Sequence, residues 1–156
     1  MTTPTRPSAD AIVTAALAWE GTPYRHLGRT RRAIDCAGLI ILVGREVGAF
    51  APDFDVRNYP RDPSGRLRMV MLSSGMLPVR TLGHSEDCRR DELLPGEVLV
   101  MRGNGSAILD SHLAIWTGRH VVHASAPFKR CVRHGLLKPW STYVSAVYRY
   151  PGVTYG

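Results

Sequence analysis

The sequence predicts an α+β domain, with N-terminal helices packed on a C-terminal antiparallel sheet, and three observations carry that expectation. Helical periodicity and helix caps lie in the first half of the chain. Short runs rich in β-branched and aromatic residues cluster after Gly96. Nothing alternates between the two as the βαβ units of a parallel sheet would. A chain of 156 residues, 44% hydrophobic and 21% charged, suits one domain with one core. That domain is taken to span residues 1–156, with 1–8 as a flexible arm.

The first helix starts at Ser8, a capping residue, with Asp10 in its first turn. Ile12, Ala15, Ala16 and Trp19 recur at helical spacing, and Gly21 and Pro23 end the element. Residues 24–34 read as a basic loop. Asp35 then caps a second helix running from 36 to about 47 and closed by Gly48. Its run Leu39, Ile40, Ile41, Leu42, Val43 is apolar nearly all round, the mark of a helix buried in the middle of a domain. Residues 50–63 carry Pro52, Pro60 and Pro63 and read as irregular; 64–76 suit a short third helix; 77–95 read as loop. Strands are expected at 98–101, 112–117, 121–125 and 144–150.

The formal charge is +7, from 20 Lys and Arg against 13 Asp and Glu. Such a surface favours polyanions without choosing among them. Arg29, Arg31 and Arg32 form the tightest cluster, but no aromatic pattern accompanies it and no nucleic-acid motif is present, so no nucleic-acid partner is expected. Residues 1–10 are polar and lack the apolar core of a secretion signal, so the chain is expected to be made in the cytoplasm. The longest apolar stretch, 37–43, falls far short of the ~20 residues that span a bilayer, and no membrane insertion is expected. Cys36, Cys88 and Cys131 are odd in number and widely spaced, which fits a reducing compartment better than a disulfide framework.

Cys36 stands at the start of the buried helix. Unpaired N–H groups and the helix dipole there favour a thiolate, and the Cys36 N–H offers half of an oxyanion hole. The plain alternative is a small core cysteine. A nucleophilic thiol needs a base, and strand geometry selects two of the six histidines. With Gly118-Arg119 as a two-residue hairpin turn, Trp116 faces Val121, Ala114 faces His123, and His112 faces Ser125. His112 and His123 are then diagonal neighbours on one face. Leu113, Ile115, Val122 and Ala124 make the other face apolar and core-facing. One residue more in the turn would move His123 to the wrong side. On this reading His112 takes the thiol proton and His123 holds the His112 ring in the right tautomer.

Five segments in order carry a resemblance to the NlpC family of cell-wall cysteine peptidases. They are Gly21-Thr22-Pro23-Tyr24, Asp35-Cys36-Ala37-Gly38-Leu39, Leu94-Pro95-Gly96-Glu97-Val98, His112-Leu113-Ala114-Ile115-Trp116 and Val122-His123-Ala124. The resemblance runs from about residue 11 to 150. It implies a papain-like α+β fold and cleavage of amide bonds in the stem peptides of peptidoglycan, with Cys36, His112 and His123 catalytic and no metal or cofactor. It also implies that Tyr24 assists the oxyanion and that Asp35 contacts polar groups of substrate; the plainer readings are a packed loop aromatic and a helix cap. The chain departs from the family where Ala37 replaces the usual serine, removing a hydroxyl contact to substrate, and where Arg25-His26-Leu27-Gly28 follows Tyr24. That wording, and the extra segment between the cysteine helix and Pro95-Gly96, resemble the branch found in phage tails and gene-transfer agents. The implied partners are a peptidoglycan stem peptide and other tail-tip proteins, and the implied location is the virion tail.

Three other readings stay open on sequence. The fold could serve as a structural tail-tip protein with a weak or regulated site. It could run another acyl-transfer chemistry. It could bind zinc through His84 and Cys88 together with Cys131 and His134.

Overall fold

The computed structural model describes residues 5–61, 65–84, 86–102 and 110–156. It has the expected α+β order, in which the helices precede most of a six-stranded antiparallel sheet. Helix α1 (Ala9–Leu17) is capped by Ser8, whose hydroxyl accepts from the Ala11 N–H at 3.3 Å. Ile12, Ala15 and Ala16 turn inward, and Trp19 follows them into the core just past the last helical turn. The inner end of the expected arm is tied down: Pro7 and Ala9 pair with Thr154 through backbone hydrogen bonds of 2.9 and 3.0 Å.

The segment read as a basic loop contains two minimal strands, β1 (Arg29–Thr30) and β2 (Ala33–Ile34), paired as a hairpin. Helix α2 (Cys36–Glu46) runs through the middle of the domain, as its apolar circumference predicts, and packs on the sheet centre beside α1. Helix α3 (Leu67–Ser73) buries Leu67, Val70 and Met71.

The main sheet has the order β3-β8-β4-β5-β6-β7, formed by β3 (Leu77–Thr81), β4 (Val98–Arg102), β5 (Asp110–Trp116), β6 (Val121–Ser125), β7 (Arg130–His134) and β8 (Val144–Arg149). Strands β4, β5, β6 and β8 lie within about two residues of their expected positions. Strands β3 and β7 are absent from the sequence reading. In β3 a proline interrupts the run and most side chains are exposed; Pro78 is tolerated because β3 is an edge strand with an irregular register beside it. In β7 three basic residues hide the alternation, and only Cys131 is fully buried.

The hairpin register is as expected. Trp116 pairs with Val121, Ile115 with Val122, and Gly118 takes φ +94° in the turn. The face opposite the helices differs from the sequence reading. Leu113, Ile115, Val122 and Ala124 join the helix-side core, but Ala114, Trp116 and Val121 are also buried, under a second cluster with Leu82, Cys88, Leu93 and Leu136. On that face His123 is buried and His112 is half-buried.

Candidate active site

A backbone break places one catalytic candidate and a helix N-terminus the other. Between β4 and β5 the register slips after Met101 pairs with His112, so that Arg102 pairs with Asp110. A second slip separates β4 from β8 at the same level. Such bulges bend a strand and re-aim its side chains, and here the bend immediately precedes His112. Cys36 opens α2 on the helix side of the sheet. The two residues line one cavity of about 140 Å³ together with Tyr24, His123, Arg102 and Trp140.

Backbone N–H groups of Leu113, Ala37 and Cys36 itself point at the Cys36 sulfur and favour its anion, as expected for a helix N-terminus. They are outweighed. Burial, with the neighbouring Asp35 carboxylate second, pushes the thiol up to about 12. Burial thus opposes what the helix terminus offers this sulfur, and a base is needed to take its proton as it attacks. His112 is suited to take it. Burial, followed by the electrostatic effect of His134, lowers it from 6.5 to about 4, which keeps the imidazole neutral and able to accept. Its Nε2 lies 2.5 Å from Nδ1 of His123, leaving Nδ1 as the nitrogen outside that bond. The diagonal pair inferred from the hairpin is formed, with the two rings crossing at 80°.

The wall opposite the histidines is a charged network. Asp35 is almost fully buried, and each of its oxygens accepts twice. Oδ1 accepts from the Gly38 N–H at 2.7 Å and from Arg29 at 2.9 Å. Oδ2 accepts from the Leu27 N–H at 2.8 Å and from the Tyr59 hydroxyl at 2.7 Å. The helix-cap reading of Asp35 accounts for one of these bonds, and together they fill the lone pairs a substrate group would need. Arg29 is equally saturated, bonding Asp55, Val56 O, Gly28 O and Tyr59 as well. The basic cluster of the sequence is thereby divided: Arg29 is buried in this network, Arg31 stacks 3.6 Å over Trp19, and Arg32 is exposed. Gly38 is required here, because an added Cβ would lie 2.6 Å from Gly28 O.

Tyr24 is held by backbone bonds on both sides, to Lys129 O at 3.0 Å and through a bridge to Ile34. Burial, then the charges of Cys36 and Asp35, raises its hydroxyl to about 12, so it remains a donor at the cavity. Ala37 is fully enclosed in the helix-side core, where its methyl packs. The turn segment Leu94 to Val98 braces the sheet. Its buried Glu97 carboxylate accepts from the Leu94 N–H at 2.6 Å and from Arg149 at 2.9 Å.

This arrangement of helices and sheet is shared with known proteins. An NlpC/P60 family protein from Bacillus cereus superposes with a TM-score of 0.63 at 15% identity, over 94% of this chain and 41% of that one. NlpC1 from Trichomonas vaginalis gives 0.62 at 17% identity, over 96% and 46%. The NlpC/p60 domain of the peptidoglycan hydrolase SagA gives 0.57 at 20% identity, over 90% and 97%. This is the NlpC/P60 fold. In sequence, the probable endopeptidase NlpC of Escherichia coli K12 is 32% identical over 108 residues, covering 69% of this chain and 55% of that protein. The chain thus spans about half the length of that relative. No family model matches the sequence.

Within the NlpC/P60 fold three participants escape the sequence reading. Arg29 reads there as part of a surface cluster, and Tyr59 sits in a segment with no regular structure. The third is His134, which lies 2.7 Å from His123. Its signal is present in the chain: histidines 112, 123 and 134 recur at intervals of eleven, across three successive strands. The zinc reading pairs His134 with Cys131 instead. Among the described residues no group of three or more His, Cys, Asp or Glu side chains could hold a metal ion, so the structure does not assemble that site.

Proposed function

We propose that the chain is a cysteine peptidase that hydrolyses amide bonds in the stem peptides of peptidoglycan. The observation that carries this reading is the Cys36 thiol at a helix N-terminus, sharing a cavity with a neutral His112 whose far nitrogen is held by His123. The likeness to the E. coli endopeptidase and to the SagA domain supports the choice of substrate.

In the proposed reaction Nδ1 of His112 takes the thiol proton as sulfur bonds to the scissile carbonyl carbon. The Cys36 N–H and the Tyr24 hydroxyl donate to the oxyanion. His112 then gives its Nδ1 proton to the leaving nitrogen, the C–N bond breaks, and an acyl-thioester remains. Water attacks that ester with His112 as base; the C–S bond breaks, and the thiol recovers its proton. The chain's own groups supply each step.

The test is a digest of purified peptidoglycan read by mass spectrometry. Wild type should release new peptide fragments, and Cys36→Ala should release none while keeping its fold. Fragments from both proteins, or from neither, would overturn the proposal.

The finer reading, also proposed, is that the peptidase works in a phage tail tip and helps a particle through the cell wall. It is supported by the wording at residues 23–26 and the long segment between α2 and β4. Detection of this chain in purified particles by mass spectrometry would bear it out, and its absence from them would count against it. On that view the chain is made in the cytoplasm and carried by the virion.

A further inference from the structure

We propose that His134 is a positioning residue that fixes the tautomer of both catalytic-site histidines from the carbonyl of Gly135. The inference deepens the peptidase reading and rests on it for its meaning, but its geometry stands alone. Nδ1 of His134 lies 2.9 Å from Gly135 O, its Nε2 lies 2.7 Å from Nε2 of His123, and Nδ1 of His123 lies 2.5 Å from Nε2 of His112.

These contacts permit one arrangement of protons among neutral rings. A carbonyl oxygen only accepts, so Nδ1 of His134 carries its hydrogen. A neutral imidazole has one N–H, so Nε2 of His134 is bare and accepts. Nε2 of His123 must then carry that ring's hydrogen, and its Nδ1 is bare. Nε2 of His112 must donate to it, which leaves Nδ1 of His112 bare. The bare nitrogen is the one the reaction needs, so the direction of the chain is set by a backbone atom two rings away.

The sheet register makes the chain possible. His123 pairs with Val132, which places His134 on the diagonal two residues further along β7. Continued past Ile115 and Val122, the β5–β6 register places His112 on the corresponding diagonal of His123. Trp140 holds the geometry from above, its ring 4.7 Å from that of His134 and 5.8 Å from that of His123. Arg133, the adjacent cation, is engaged with Glu20 at 3.1 Å.

The chain also has a use during turnover. When His112 gains a proton on Nδ1 it becomes a cation, and its Nε2–H bond to His123 strengthens. That stabilisation is present only after proton transfer, so its loss would appear in kcat rather than KM.

The test uses full-length protein labelled with nitrogen-15 histidine, together with alkylation of Cys36 by iodoacetamide followed at the Cys36 peptide by mass spectrometry. In wild type, NMR should show His134 protonated on Nδ1, and His123 and His112 protonated on Nε2. Any other tautomer at His134 overturns the proposal without recourse to a variant. His134→Gln retains an acceptor near the position of Nε2 and should keep the Cys36 alkylation rate within about threefold of wild type. His134→Leu removes the acceptor and should mix the tautomers of His123 and His112. It should slow alkylation by about tenfold or more, since a ring in the wrong tautomer cannot accept the thiol proton. Equal slowing by both variants, with wild-type tautomers retained, would show that the ring merely packs. Correct tautomers and a graded alkylation response in a protein that cuts no peptidoglycan would sink the peptidase reading and leave this one standing.

Discussion

The two walls of the cavity are built from opposite materials. One presents Asp35 and Tyr59, backed by Arg29 and Asp55 in a charged network in which the Asp35 lone pairs are filled and an ion pair at 2.9 Å is buried. The other is the pair His112 and His123, backed by His134 and joined through nitrogen atoms that can donate or accept. The difference teaches a division of labour. A saturated charge network has one arrangement and fixes the mouth of α2 and the loops beside it. A row of imidazoles is joined by single protons whose direction is set from the Gly135 carbonyl, and its terminal ring can still gain and lose one.

The largest expected effects test each wall by its own measure. His112→Ala should lower peptidoglycan hydrolysis by about a hundredfold or more, since general-base catalysis is worth that much. His123→Ala should cost less, because it removes an orienting partner rather than the base. Equal losses would erase the distinction between the two histidines. On the charged wall, Asp35→Ala should leave the buried Arg29 guanidinium paired with Asp55 alone and strip the Gly38 and Leu27 N–H groups of their acceptor. It should destabilise the fold by about 1–3 kcal/mol for each buried donor left unsatisfied, read in urea denaturation. His123→Ala should cost less in stability than Asp35→Ala and more in kcat than in KM, and a reversed order would break the comparison.

A smaller effect sharpens it. His112 and His123 are held below their ordinary value, His112 from 6.5 to about 4, chiefly by burial. Below pH 6.5 the unfolded chain therefore takes up protons before the folded one does. Stability should be full above pH 6.5 and fall as pH drops toward 4. The sign reverses at Cys36, raised from 9.0 to about 12: the unfolded chain loses that proton first, so stability falls as pH rises above 9.0. Melting temperature against pH should form a dome, and His123→Gln should flatten its acid side. The smallest effect belongs to Tyr24→Phe, which should reduce kcat by up to about tenfold and leave melting unchanged, since no described residue accepts from its hydroxyl.

Much of this comparison is legible in the chain itself. The buried helix, its cap and the hairpin follow from local rules, and the hairpin register places His112 beside His123 because a two-residue turn fixes which side chains share a face. What escapes depends on non-local pairing. Strand β7 is recognisable only once β6 lies beside it, and with β7 unseen His134 has no place on a sheet. Strand β3 is hidden by its proline. The fate of Asp35 is hidden for another reason. Its cap to Gly38 is three residues away, but its bonds to Arg29 and Tyr59 come from loops whose return to it has no periodic signature. The opposing pulls on the Cys36 proton are hidden too, because a helix terminus is visible in sequence and burial of the sulfur is not.

The segment before Tyr24 has a consequence for the order of events in a cell. Gly21 and Thr22 exchange backbone hydrogen bonds of 2.8 and 2.7 Å with Cys131, and Tyr24 bonds Lys129, so an early stretch of chain is stitched along β7. Those contacts close a very large loop, a slow step compared with winding a helix. The nucleophile and its helix leave the ribosome long before β6 and β7, which carry the rings that direct its proton. A nascent or truncated chain ending before β7 would therefore hold the nucleophile without the complete row of rings that directs its proton, and competence would arrive only with the final strands.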